Sequence, residues 1–346
     1  MRVRALPGNA FHPTPRRNGL VANTPVPALR LSSAIAHRQC GPVKLLLVDG
    51  YYYAYRSFHA LIGLTTPKGE PVGAVFGFLK ALRRMQKDLH PDRAAVVWDE
   101  GIPARRSSLQ PEYKAQRAEM PEALESQLPL LRKLIALIGF PSVSLPDTEA
   151  DDLMASYACA ARALGWESIL ATADKDLFQI VAPDIRVYTT QKTELATPKD
   201  THALLDAERV RQKWGVSPGQ LGDLLSLVGD NADNIPGVPG IGPKTAAALL
   251  STHGSLSAVY ADLASITPVK LREKLAAGRA QLEQNREMVR LDLDLPLPAP
   301  LDSLRIQPQF EPLFEALQEA GLRGIEADMR KEEAASQKPR QADLFG

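Results

Sequence analysis

Residues 43–50 read "VKLLLVDG": four apolar residues in a row after Lys44, then an aspartate and a glycine. The pattern returns at 93–100, "RAAVVWDE", and at 167–176, "ESILATADKD". Each run has strand length and lacks the alternation of a strand with one wet face, so each predicts a strand buried on both sides. Between them lie helix-length segments at 72–89, at 122–138 after Pro121, and at 149–164. Strands alternating with helices predict an α/β fold, a mostly parallel central sheet with helices on both faces. Such sheets bind ligands at the carboxyl ends of their strands, which gathers Asp49, Asp99 and Asp174 along one edge.

This core is expected over 43–200. From 201 to 300 helix follows helix with Gly and Pro punctuation, a second and mainly helical domain, with a short Leu/Pro-rich run near 291–301 as the next strand. Residues 301–330 are expected to pack back on the core through a helix at 312–322, and 331–346 to form a polar flexible tail. Residues 1–42 contain no acidic residue and many Arg, Pro and Ala. A transit peptide and a disordered arm are possible readings. The favoured one is upstream sequence translated from a start placed too early, since the first strand begins at Val43. The 41 Lys+Arg and 40 Asp+Glu nearly cancel, no apolar run approaches the ~18 residues of a membrane helix, and Cys40 and Cys159 lack metal-ligand spacing.

The stretch "DTEADDLMASYA", 147–158, runs from acidic residues directly into an apolar helix. Locally, Thr148 and Asp151 have the spacing of a capping box, and acids in a first turn suit the helix dipole. Beside Glu149, Asp151 and Asp152, however, stand Asp49, Asp99, Asp174 and Asp176 at strand ends, and Asp230 and Asp233 in "GDNADN". If these converge, each neighbouring pair at ~5 Å costs roughly 3 kcal/mol at an effective dielectric constant near 20. Caps contribute about 1 kcal/mol and cannot offset that. Bound cations can. An all-oxygen ligand set without a His/Cys cluster points to hard divalent ions, and so many acids point to two of them, the arrangement that cleaves phosphodiesters.

The stretches "LLLVDGYYYAYRSFHAL", "VVWDE", "YKAQR", "TEADD", "TADKDLFQ" and "GDNADNIPGVPGIGPKTAAALL" together resemble the structure-specific 5' nucleases: flap endonucleases and the 5'-3' exonuclease domain of bacterial DNA polymerase I. The resemblance covers about 43–300 and fills all nine acidic positions of the family pattern. It implies a stand-alone enzyme with a PIN-like nuclease core that hydrolyses DNA, and RNA primers, in replication and repair. Asp49, Asp99, Glu149, Asp151 and Asp174 would hold or orient a first ion, with Asp152, Asp176, Asp230 and Asp233 around a second. Mg²⁺ is the expected ion, with Mn²⁺ able to replace it.

By the same resemblance, 235–250 is a helix-three-turn-helix (a helix-hairpin-helix motif) gripping duplex DNA. Gly237, Gly240 and Gly242 would expose backbone N–H groups to phosphates, with Lys244 and Thr245 beside them and a monovalent cation such as K⁺ at 237–242. Residues 100–121, "EGIPARRSSLQPEYKAQRAEMP", would form an arch over the site. There Arg106, Lys114 and Arg117 would meet phosphates and neutralise transition-state charge, and Tyr113 would stack on a base. Tyr51, Tyr55 and Phe58 share a helix face read mostly as core, and His59 reads as a satisfied structural histidine. The terminal "QADLFG" is similar to a bacterial sliding-clamp motif, with Gln341, Leu344 and Phe345 as its contacts. Branched or 5'-ended duplex DNA is the expected partner, with a monomer in the bacterial cytoplasm and organellar targeting as the alternative. A PIN-type ribonuclease would not need the 235–250 hairpin, and a non-catalytic DNA-junction scaffold would not need nine acids.

Overall fold

The computed structural model describes residues 41–189 and 203–336. The order is β1 (Lys44–Asp49), α1 (Gly50–Ala60), α2 (Gly73–Leu89), β2 (Arg93–Val97), α3 (Ala104–Leu109), α4 (Glu122–Glu125), α5 (Leu128–Leu137), β3 (Ser142–Val143), α6 (Ala150–Ala163), β4 (Glu167–Ala171), β5 (Ile185–Thr189) and β6 (Ala203–Leu205). There follow α7 (Ala207–Trp214), α8 (Leu221–Val228), β7 (Gly229–Asp230), β8 (Ile235–Pro236), α9 (Pro243–His253), α10 (Leu256–Ala261), α11 (Val269–Ala277), α12 (Arg279–Val289), α13 (Phe310–Glu319) and α14 (Arg323–Ser336).

The main sheet has the order β3-β2-β1-β4-β5-β6, parallel except for the last pair. Chain direction through the sheet reverses at β1, which lies between β2 and β4, so the crevice beyond β1 and β4 is the switch point where such sheets bind ligands. Leu45 and Leu47 face one apolar layer, with α6 and the helical region, while Leu46 and Val48 face the other, with α1, α2, α5 and α13. Both layers are dry, which explains the uninterrupted apolar runs. Gly50 follows Asp49 because a Cβ there would stand 2.5 Å from the Trp98 ring.

Several expectations change. The capping box does not form: Glu149 is the N-cap of α6 without a side-chain cap bond, and Thr148 Oγ1 donates to Pro146 O at 3.1 Å. The cap comes instead from Asp99, whose Oδ1 accepts Ala150 N–H at 3.2 Å. The expected helix at 122–138 is broken into α4 and α5, with Pro129 in the first turn of α5. Strand β6 closes the sheet beyond residue 200, so the core extends past its expected end. The 291–301 run pairs with no strand among the described residues. It lies along α6, with Asp292 N–H on Asp152, Leu295 N–H on Ser156 Oγ and Ala299 N–H on the Tyr157 hydroxyl. Helix α13 packs on the core through Leu313, Phe314 and Leu317, and α14 carries the helix to Ser336, into the expected tail. His59 is exposed beside Tyr55 and Phe58 rather than satisfied in the core. The N-terminal extension before Gly41 and the clamp-like Gln341, Leu344 and Phe345 lie outside the described residues.

Candidate metal centre

Beyond the carboxyl ends of β1 and β4 is a cleft of about 400 Å³, walled by Asp49, Asp99, Asp151 and Asp174 and by Tyr51, Tyr52, Tyr55, Lys114 and Arg117. Asp49 ends β1 and also caps α1, accepting Tyr52 N–H and the Thr172 hydroxyl, both at 2.9 Å. The turn after β4 aims its own acids: Asp174 N–H bonds Thr172 Oγ1 at 3.0 Å and Asp176 N–H bonds Asp174 Oδ1 at 2.9 Å. The α6 N-terminus supplies Glu149, Asp151 and Asp152, whose ligand atoms lie within 4.8 Å of one another.

Burial and crowding raise Asp49, Asp174 and Asp176. Burial first, then Asp99 and Asp174, push Asp49 up to about 7 against its bonds to Tyr52 and Thr172. Burial and Asp151 push Asp174 to about 6. Asp176 is held well above the carboxylate range by burial and by Asp174, Asp151, Asp233 and Asp230, and its buried Oδ1 has no hydrogen-bond partner. The interactions form a chain: Asp49 and Asp99 at one end, Asp174 and Asp151 between, Asp176, Asp230 and Asp233 at the other.

Four cationic side chains answer nine carboxylates. Lys114 pairs with Glu149, Arg117 with Asp233 at 2.7 Å, and Lys175 with Asp230 at 2.8 Å. Arg106 pairs with Glu149 and, through both Nη atoms, with Asp152 at 2.6 and 2.9 Å. The positive charge falls short, the donors are all oxygen, and one buried acceptor is orphaned. This set fits hard divalent cations.

Two sequence-based roles are corrected here. Arg106 is 1% exposed, and beyond its acids it spends Nε on Met288 O at 3.1 Å and Nη2 on Arg290 O at 3.1 Å. No donor group remains for a phosphate. Its charge is favoured because Asp151, Asp152 and Glu149 outweigh the burial that opposes it. Tyr113 is 6% exposed, its ring is in the core and its hydroxyl bonds Glu149 Oε2 at 3.2 Å, so it offers no face to a base. Asp152, fully buried and bound by Arg106 and by Asp292 N–H, does not line the cleft, although its carboxylate stays within 4.8 Å of those of Glu149 and Asp151, and it is raised to about 7 by burial and Asp151. Lys114 and Arg117 do line the cleft.

Asp230 and Asp233 sit on the loop that joins α8 to the Gly-rich hairpin. Asn285, fully buried, fastens that hairpin by donating to Ser226 O at 2.9 Å and Pro236 O at 2.7 Å. A Cβ on Gly237 would lie 2.1 Å from Val228 O, so only glycine lets the two turns cross. Gly242 is the N-cap of α9 with Pro243 next and no side-chain cap bond, and Lys244 is exposed in that first turn beside half-buried Thr245. The Gly240 backbone packs near the Lys274 ammonium. Sequence reasoning missed Arg105, which bonds Arg290 O at 3.0 Å next to Arg106, and Thr172 and Lys175, both inside the quoted "TADKDLFQ".

Two family models match in chain order, "5'-3' exonuclease, N-terminal resolvase-like domain" over 44–215 and "5'-3' exonuclease, C-terminal SAM fold" over 216–311. The 5'-3' exonuclease of Aquifex aeolicus is 34% identical over 288 residues, covering 83% of this chain and 95% of its own. The thermostable DNA polymerase I of Thermus thermophilus is 41% identical over 254 residues, 73% of this chain but 29% of the polymerase. A bacteriophage T5 flap endonuclease, solved as a pseudo-enzyme–product complex with DNA and metal ions, shares the fold with a TM-score of 0.58 at 21% identity, over 83% of this chain and 98% of its own. With the acidic edge, the hairpin and both domain matches in place, the chain belongs to the 5'-3' exonuclease family.

Proposed function

We propose that this chain is a structure-specific 5' nuclease that cuts DNA, and the RNA of primers, at branched or 5'-ended duplexes. The observation that carries this reading is that one loop, 229–242, bears both Asp230 and Asp233 of the acidic set and the uncapped, Lys244-bearing start of α9. A duplex held by its phosphates at the hairpin would thus present a strand to the carboxylate edge.

Asp49, Asp99, Asp151 and Asp174 would hold one cation in the cleft, with Asp176, Asp230 and Asp233 near a second. Bound there, Mg²⁺ or Mn²⁺ would polarise the scissile phosphate and lower the pKa of an attacking water. Glu149 holds Lys114 at the cleft wall, and Asp233 does the same for Arg117. Both cations would bind the phosphate as negative charge develops on it. Tyr51, Tyr52 and Tyr55 form the apolar wall on which the nucleotide beside the cut would rest. K⁺ at the 237–242 turns, action as a monomer in the bacterial cytoplasm, and clamp binding by Gln341, Leu344 and Phe345 complete the proposal. Deleting 341–346 would then abolish clamp affinity and spare flap cleavage.

The test uses 5'-labelled flap, nicked and single-stranded substrates with Mg²⁺ or with chelator, comparing the natural chain with Asp174→Ala. Metal-dependent release of 5' products, lost in the variant, is expected. Cleavage in chelator, undiminished cleavage by the variant, or a preference for single-stranded RNA overturns the reading.

A further inference from the structure

Around α1 from the acidic cleft is a second hollow of about 380 Å³, lined by Tyr53, Arg56, Lys80, Arg84, Met85 and Tyr188 among others. Three of these are cations from two packed helices. Arg56 and Lys80 are exposed and make no ion pair among the described residues, and the Lys80 ammonium rests 5.0 Å from the Phe76 ring centre. Arg84 is partly answered by Asp88, its Nε at 3.1 Å from Oδ2. The floor holds a polar group in search of a partner: Tyr53 is 0% exposed and its hydroxyl has no hydrogen bond. Leaving such a group unpaired is costly unless something binds it. Tyr188 feels Asp88 first and then Arg84 and Arg56, and Tyr53 feels Arg56, so one carboxylate accompanies the cations and hydroxyls that line this space.

We infer that this hollow is a phosphate-binding subsite for a nucleic-acid backbone, with Lys80, Arg84 and Arg56 supplying charge and Tyr53 a hydroxyl donor. The inference rests on the nuclease reading above. Its place favours a backbone over a free anion. Tyr52 lines the acidic cleft and Tyr53 this hollow, their rings meeting edge-on at 5.0 Å between centres, so one layer of aromatic rings separates the two sites. A strand advancing roughly 3.4 Å per nucleotide along its axis spans that gap within a few residues.

The experiment measures binding of a fluorescent 5'-flapped duplex in Ca²⁺ as salt is raised, for the natural chain, Lys80→Ala with Arg84→Ala, Tyr53→Phe, and a control of equal charge loss, Lys133→Ala with Lys331→Ala. If the hollow takes backbone phosphate, the double variant binds about tenfold more weakly near 0.1 M salt, and the slope of log affinity against log salt shrinks by about 1 to 2. The control keeps the natural slope. Tyr53→Phe binds DNA several-fold more weakly while its melting temperature without DNA does not fall, the reverse of what a purely structural hydroxyl would give. Natural slope and affinity in the pocket variants would overturn the inference. So would stabilisation of the natural chain, but not of the double variant, by inorganic phosphate or ATP with the DNA slope unchanged, which would assign the hollow to small phosphates. Should the natural chain itself fail to bind the flap with a salt-dependent affinity, the nuclease reading would be what fails.

Discussion

Arg106 clasps Asp152 with both ends of its guanidinium, Nη1 to Oδ2 at 2.6 Å and Nη2 to Oδ1 at 2.9 Å, and ties the pair to the last carbonyls of α12. The clasp joins three distant segments, α3, the acidic start of α6 and the helical region, around a charge withdrawn from water. Replacing Arg106 with Ala would strand Asp152 without its cation and leave Glu149 with Lys114 alone, and the loss of one partner of a buried pair costs about 3–5 kcal/mol. Urea unfolding should show that loss. Arg106→Lys should recover only part of it, because an ammonium lacks the planar fork.

Asp174 illustrates the opposite balance. In chelator its charge is resisted by burial and by Asp151, so Asp174→Asn should stabilise the metal-free protein by about 1–3 kcal/mol. The same change should lower flap cleavage about 100-fold or more, since it removes a cleft carboxylate. Thermal melts in chelator and single-turnover cleavage read the two effects separately. A variant that melts lower than the natural chain in chelator would refute the crowding argument.

The pH response of the metal-free protein follows from the same acids. Asp49 and Asp152 titrate near 7 and Asp174 near 6, against an ordinary 3.8, so between about pH 4 and 7 the folded chain holds protons that the unfolded chain has released. Stability in chelator is therefore expected to fall as pH rises through that window, and the melting temperature to climb as pH is lowered from 8 to 6. Saturating Mg²⁺ should flatten the trend, because cation and proton compete for the same oxygens. A melting temperature in chelator that is flat from pH 8 to 6 would contradict it.

Two glycines of the hairpin should behave differently. At Gly237 an added methyl meets Val228 O at 2.1 Å, so Gly237→Ala should separate the crossing turns, cost about 1–3 kcal/mol and weaken duplex binding. Gly242 has φ −93° and open space around the added atom, so Gly242→Ala should leave the fold within about 0.5 kcal/mol of natural stability. Denaturation and DNA-binding titrations on the pair decide it.

What the sequence made legible was whatever depends on pattern along the chain. Buried strands ending in Asp49, Asp99 and Asp174 declared the sheet edge because parallel strands are apolar on both sides and finish at the ligand face. Side-chain direction was not legible. Arg106, Tyr113 and Asp152 lie in motifs that look like surface chemistry, yet all three are buried, because their partners come from other parts of the chain: Met288 O for Arg106, Asp292 N–H for Asp152, and Glu149 and Asp233 for the Tyr113 hydroxyl. The failed cap has the same cause: the Ala150 N–H is taken by Asp99 from another strand, a partner that local spacing does not reveal. Strand β6 was overlooked because three residues at a sheet edge carry almost no periodic signal.

Asn234, at φ 60°, is the meeting point of the 110–116 segment and the hairpin loop. Its side chain donates to Glu112 O at 3.0 Å and accepts from Gln116 at 3.2 Å, its carbonyl takes Gln110, and the neighbouring Asp233 O accepts Lys114 N–H at 3.3 Å. The 110–116 segment and the loop of the second acidic pair are consequently bonded together. They are thus cross-braced through Asn234, a residue that offers no carboxylate of its own.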